Sequence, residues 1–325
     1  MAHVVVTIQI TKTMQIRRAP IALLVLAAVF PAAASYAASG FIVNSDDPSV
    51  RDFDTLHTLD LINGDAAKVG EVRAAPSSAP YADVEGLALD ANGNLYGIDD
   101  ASKTLLRIDR DTGIALPVDG REGNTGLSRT SNFDFGLTFD CAGNLYASSD
   151  SRRSLYRVDV STGAATLVGS EGALGAAITG LAARYDGVYG IGSSGDENLY
   201  RIDVITGRAE LIGPLGGGLR FTDGGLDFDA GGILWGVADM TGTSINPEPS
   251  VVFTIDPVSG AAQRISSTLP GVESLAIAKP VCEAPTGPAG PAVPPAIPTL
   301  GSQGQALLSL LLALFGFAAI RFQSR

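Results

Sequence analysis

The chain has 325 residues and a formal net charge of −12, with 34 Asp plus Glu against 22 Lys plus Arg. That balance argues against nucleic acid as a partner, because phosphate contacts need a basic face. With 2 His and 2 Cys in the whole sequence, Cys/His zinc sites and Ser-His-Asp or Cys-His mechanisms lack the necessary parts.

The N-terminus reads as an export signal. Arg17-Arg18 precede an apolar run, Ala19 to Ala34, and Ser35-Tyr36-Ala37 places small residues where a signal peptidase cuts. Residues 1–37 are therefore expected to be a signal peptide of the Sec route, with Met14 as an alternative start. His57 is then the one histidine left, and its place in a strand pattern marks it as a packing residue.

Next comes an internal repeat. Five times an Asp is followed four residues later by a Gly: Asp60/Gly64, Asp109/Gly113, Asp159/Gly163, Asp203/Gly207 and Asp256/Gly260. Asp bonds the backbone two residues on and Gly supplies the positive φ that closes a hairpin. A short β-pattern precedes each turn (Leu155-Tyr-Arg-Val158 is one) and another follows it (Ala165 to Val168), giving strands C and D of a unit. The other half repeats as Gly86-Leu-Ala-Leu, Gly136-Leu-Thr-Phe, Gly180-Leu-Ala-Ala, Gly225-Leu-Asp-Phe and Ser274-Leu-Ala-Ile, strand A. A polar turn leads from it into strand B, marked by Tyr96, Tyr146, Tyr189 and Trp235. Small residues that open strand A fit close backbone approach at an axis, and the aromatics fit packing between units.

The repeat length matches a four-stranded propeller blade. The chain begins with strands B, C and D, from Phe41, and ends with a lone strand A, Val272 to Ala278, so its two ends complete one blade. The expected fold is an all-β five-bladed β-propeller, residues 38–282, closed by the last strand, with terminal apolar helices on either side. The strands resemble NHL-type and other Asp-x-x-Gly-Asn-Leu-Tyr propeller repeats, as in Asp90 to Tyr96 and Asp140 to Tyr146. That resemblance implies architecture and leaves function open.

After the propeller, residues 283–296 form a Pro/Ala/Gly stalk. Residues 297–325 begin Ile297-Pro298-Thr299-Leu300, run through the apolar stretch Ala306 to Ile320 and end on Arg321 and Arg325. This order resembles the IPTL-CTERM sorting tail of Gram-negative bacteria, which implies an exosortase-type processing enzyme and the membrane as partners. Members continue Ser-Glu-Trp-Gly after the Leu, whereas here Gly301-Ser-Gln-Gly304 follows. The apolar stretch is shorter than the about 20 residues that usually span a bilayer, which suits a transient anchor removed by processing or a thin, snorkelling segment, with an ordinary C-terminal anchor as the alternative.

Topology sorts the remaining polar residues by face. D-to-A and B-to-C connections share the face on which Glu85, Asp134, Asp223 and Glu273 ring the channel mouth, with Asp99, Asp100, Asp150 and Asp239 around them; Asp46 and Asp47 join the same loops. No cofactor is required by the sequence: these carboxylates read first as caps of strand ends and turns, while their oxygen-only donors would suit Ca²⁺ and close pairs would suit acid/base work. Lys103, Arg152, Arg153 and Arg220 are the cations of that face, read as solvated charges. Cys141 and Cys282 fall on the opposite face and are candidates for a disulfide worth up to roughly 4 to 5 kcal/mol. The inventory favours an exported, surface-displayed or released binding module for a glycan, matrix component or protein, acting through its acidic face. The alternative is an extracytoplasmic hydrolase or lyase using the mouth carboxylates.

Overall fold

A computed structural model describes residues 38–45, 54–240 and 248–284. The expected signal peptide (residues 1–37), Asp46 and Asp47, most of the expected stalk, Ile297 to Leu300 and both expected terminal helices lie outside the described residues. The described part is all-β: one three-stranded and four four-stranded antiparallel sheets, a five-bladed propeller. Blade one contains β1 (Ser39–Asn44), β2 (Thr55–Asp60) and β3 (Ala66–Glu71), and blade two β4 (Val84–Leu89), β5 (Leu95–Asp99), β6 (Thr104–Ile108) and β7 (Ala115–Pro117). Blade three is β8 (Phe135–Phe139), β9 (Leu145–Ser149), β10 (Ser154–Val158) and β11 (Ala165–Val168). Blade four is β12 (Ile178–Arg184), β13 (Gly187–Gly192), β14 (Asn198–Ile202) and β15 (Ala209–Pro214). Blade five is β16 (Phe221–Phe228), β17 (Leu234–Met240), β18 (Val251–Ile255) and β19 (Ala262–Ser267).

Local chemistry explains the regularity. In the third-to-fourth-strand turn of blade one, Asp60 Oδ1 accepts from the N–H groups of Ile62 (2.9 Å) and Asn63 (3.1 Å), and Gly64 N–H returns to the Asp60 carbonyl (2.7 Å). Gly64 has φ 80°, where a side chain would be strained. Asp109, Asp159, Asp203 and Asp256 grip their own turns in the same way. The two inner strands of blades two and three are wholly buried, while the outermost strand of blade three has no buried residue.

Packing between blades sets the ring. A Cβ on Gly180 would stand 2.7 Å from the Gly224 carbonyl oxygen of the next inner strand, and one on Gly225 would stand 2.4 Å from Leu275 N. Glycine at this position is therefore what brings successive inner strands together around the axis. Farther out, aromatic edges fill the wedge: the rings of Tyr96 and Phe139 meet at 5.3 Å across blades two and three, and those of Tyr189 and Phe228 at 5.4 Å across blades four and five. His57 is buried in β2, its Nδ1 3.0 Å from the Thr55 carbonyl oxygen.

Closure departs from a regular ladder. Residues 272–276 lie against β1 through bridges at Phe41/Ala276 and Asn44/Val272, with Phe41 and Ala276 exchanging backbone bonds of 2.7 and 3.0 Å. Between the bridges, Val43 N–H donates to the Ser274 hydroxyl (3.1 Å) rather than to a carbonyl. That side-chain substitute interrupts the strand expected at Val272 to Ala278 while keeping its position.

Beyond the closing segment the chain forms a strap across the opposite end of the channel. Asp227 of β16 accepts from the N–H groups of Ile277 (2.6 Å) and Ala278 (3.3 Å). Tyr185 N–H then donates to the Val281 carbonyl (2.7 Å), and Cys282 is disulfide-bonded to Cys141 with their Cα atoms 5.3 Å apart. The strap thus touches blades five, four and three in turn. It leaves a cavity of about 10 Å³ beneath it, lined by Leu87, Leu137, Asp227 and Pro280 among others, room for about one water molecule.

Candidate functional site: an acidic channel mouth

The inner strands open on the face away from the strap, and their first residues define the mouth. Glu85 sits at the centre: oxygens of Asp83, Glu85 and Glu273 lie within 4.8 Å of one another, and so do oxygens of Glu85, Asp100 and Asp134. Glu85 is buried and accepts from Phe135 N–H at 2.5 Å, which fixes its carboxylate toward blade three. Glu273 is held on the other side by the Ser45 hydroxyl (3.2 Å). In blade four the place of the acid is taken by Thr179, whose hydroxyl donates to Asp223 (3.2 Å).

Crowding like charges into buried positions raises their affinity for protons. Burial lifts Glu85 well above the ordinary carboxylate range, with the charges of Asp83, Asp134 and Asp100 adding to it. Asp150, beside Asp134, is pushed up to about 9, first by burial and then by the Asp134 charge. Asp54, at the rim near Asp83, is raised to about 7, again mainly by burial. Asp100 is raised by burial in spite of an ion pair with Lys103.

Lys103 corrects the sequence reading. It is not a solvated charge but among the most buried large side chains, 1% exposed, with Nζ 2.5 Å from Asp100 Oδ1 and over the Phe133 ring at 4.9 Å. Nothing in its local pattern distinguishes it from Arg153, the matching residue one blade on. Burial followed from Phe133 and Phe135, which roof the ammonium. Lys103, Asp134 and Asp54 also share a left-handed backbone, with φ 57°, 46° and 54°, a conformation that costs a non-glycine residue about 1 kcal/mol or more.

The expected carboxylates divide into two groups. Glu85, Asp100, Asp134 and Glu273 come together, with Asp150 beside Asp134 and the Asp223 charge reaching Asp150. Asp99 and Asp239 turn into the loops: Asp99 accepts from the N–H groups of Asp83 (3.1 Å) and Ser102 (2.8 Å), and Asp239 from Gly271 N–H (3.0 Å). Both pin connections rather than face the mouth. Asp83 and Asp54 were missed by sequence reasoning, since neither lies on a strand of the repeat; Asp83, two residues before Glu85, was the legible one.

Residues 90–261, more than half of the chain, match a repeat of unknown function, DUF6923. The chain belongs to the DUF6923 repeat family. An IPTL-CTERM motif matches residues 295–322, so this DUF6923 propeller carries a sorting tail of the kind found on exported proteins. No curated protein matches it. Among solved structures it is similar to a gluconolactonase of Xanthomonas campestris (17% identity, 68% of this chain and 74% of that one, TM-score 0.42). It is also similar to a chain of a nidogen/laminin complex (15% identity, 70% and 78%, TM-score 0.43). A third is the calcium-binding protein regucalcin of Agrobacterium tumefaciens (18% identity, 75% of each chain, TM-score 0.40). Likenesses at this level carry no statement about activity.

Proposed function

We propose that the protein is an exported binding propeller whose acidic mouth holds a divalent cation and presents it to a glycan, matrix component or protein ligand. In this reading residues 1–37 are removed on export, residues 38–282 are the propeller, residues 283–296 are the stalk and residues 297–325 are the sorting tail read by an exosortase-type enzyme. The observation that carries the proposal is Glu85, shared between two carboxylate triads whose oxygens lie within 4.8 Å. The all-oxygen donor set suits Ca²⁺. Lys103 pairs with Asp100 on the blade-three side of Glu85, and Asp83 and Glu273 complete the other triad.

Thermal unfolding of the full chain tests this. Calcium at 100 times its dissociation constant stabilises a protein by about 2.7 kcal/mol, so the midpoint rises in wild type and stays put in Glu85→Gln. An equal rise in both, or none in wild type, removes the proposal.

One observation favours a second reading, a hydrolase or lyase. Asp150, raised to about 9, is a proton donor beside Asp134, the arrangement of a general acid and its partner. An activity on polymeric substrates lost in Asp150→Asn and retained in Glu85→Gln would favour that reading over the first.

A further inference from the structure

We infer that the face bearing the strap is a membrane-contact surface, in which apolar turn tips rest in the interface of a zwitterionic lipid layer. Of the large hydrophobic side chains exposed among the described residues, Ile205 (84%), Val258 (83%) and Ile62 (50%) occupy the same position, two residues after the Asp of a third-to-fourth-strand turn. Val160 is exposed in the matching turn of blade three, and Tyr185 and Ile233 in the neighbouring first-to-second-strand turns of blades four and five. The others, Leu116, Leu167 and Leu211, lie on the outermost strands, and among the described residues none projects from the acidic face. Isolated exposed hydrophobics are common on any protein. Here they recur at one register position on one face.

A second, independent observation identifies the occupant. The chain leaves the propeller from this same face, because Cys282 is tied to Cys141 in the first-to-second-strand turn of blade three. The sequence that follows holds the IPTL-CTERM motif at residues 295–322 and the apolar stretch Ala306 to Ile320. The lipid layer that receives the tail therefore lies on the same side of the propeller as the tips. Charge selects its headgroup. The turn Asp residues are held below the ordinary carboxylate range by their own hydrogen bonds, Asp203 by Thr206 first and Asp159 by Ser161 first, and the turns of this face carry more Asp than cations, which are Arg110, Arg184, Arg208 and Lys279. A face of net negative charge is repelled by anionic lipids, which leaves zwitterionic headgroups as the layer in which the tips can rest. This inference rests on the tail reading of the proposed function but not on the cation site.

The test uses the full chain reconstituted into phosphatidylethanolamine/phosphatidylcholine vesicles, with and without brominated acyl chains. The single native tryptophan, Trp235, is buried and provides a constant background. Ile205→Trp and Val258→Trp are expected to lose their added fluorescence in brominated vesicles, while Glu122→Trp on the acidic face keeps it. An Ile62→Trp reporter is expected to lose its quenching when Ile205→Asp and Val258→Asp are added, with the protein still vesicle-bound through its tail. Equal behaviour of tip and acidic-face reporters overturns the inference, as does a detergent-solubilised dimer that the two Asp substitutions dissolve. A chain that stays off the vesicles altogether overturns the tail reading with it, whereas vesicle-bound chain with unquenched tips overturns the contact surface alone.

Discussion

Lys103 and Glu85 show how far single residues decide the mouth. An ammonium 1% exposed and 2.5 Å from Asp100 holds together a group of acids that would otherwise repel one another. Removing one partner of a buried pair costs about 3–5 kcal/mol, so Lys103→Met is expected to lower the unfolding free energy read from urea titration by that amount in the absence of metal, and calcium is expected to recover part of the loss. Arg153→Met, one blade on, is the control and stays near wild type. The sequence made Glu85, Asp134 and Glu273 legible because the inner-strand repeat numbers them. It concealed Lys103, whose burial depends on Phe133 and Phe135, residues of a different blade that no local pattern connects to it.

The inner-strand glycines and the strap act at the scale of elements. Gly225→Ala places a methyl 2.4 Å from Leu275 N and forces the closing segment away from β16. Overpacking of this kind costs about 1–3 kcal/mol, and the loss is expected to appear as faster hydrogen exchange at Phe41 and Ala276 before it appears elsewhere. The disulfide joins residues separated by 141 positions. By loop-closure arguments a bridge of that span is worth up to about 5 kcal/mol, so Cys141→Ser/Cys282→Ser is expected to lower stability in guanidinium by several kcal/mol and to match the reduced wild type. Wild type unchanged by reductant would mean that the strap carries little. The repeat revealed every blade, down to the split between the chain ends. It could not reveal that Ser274 would take a ladder bond with its hydroxyl, because that requires the register between the first and last segments, which are joined only by ring closure.

At the scale of the whole molecule, the buried carboxylates gather at one end of the channel and the apolar turn tips lie at the end crossed by the strap. The buried carboxylates give the ion-free protein a pH dependence of definite sign. Asp150 (about 9), Asp54 (about 7), Asp227 (about 7) and Glu85 hold protons in the folded state that the unfolded chain releases near pH 4. Their contribution is therefore complete at low pH and is lost as pH rises through those folded values. The turn acids, Asp109, Asp159, Asp203 and Asp256, are shifted downward and work the other way, losing their contribution only below about pH 4. Ion-free protein is thus expected to be most stable in mild acid, near pH 5, with urea midpoints falling toward pH 9; a flat or rising profile over that range contradicts the burial of these groups.

The central claim, that the mouth centred on Glu85 is a cation site, is tested most directly by calorimetric titration of the metal-free full chain with calcium. Wild type and Asp227→Asn, which alters a carboxylate under the strap, are expected to bind one ion per chain alike, and Glu85→Gln to bind none. No binding by wild type, or binding that survives in Glu85→Gln, would contradict it.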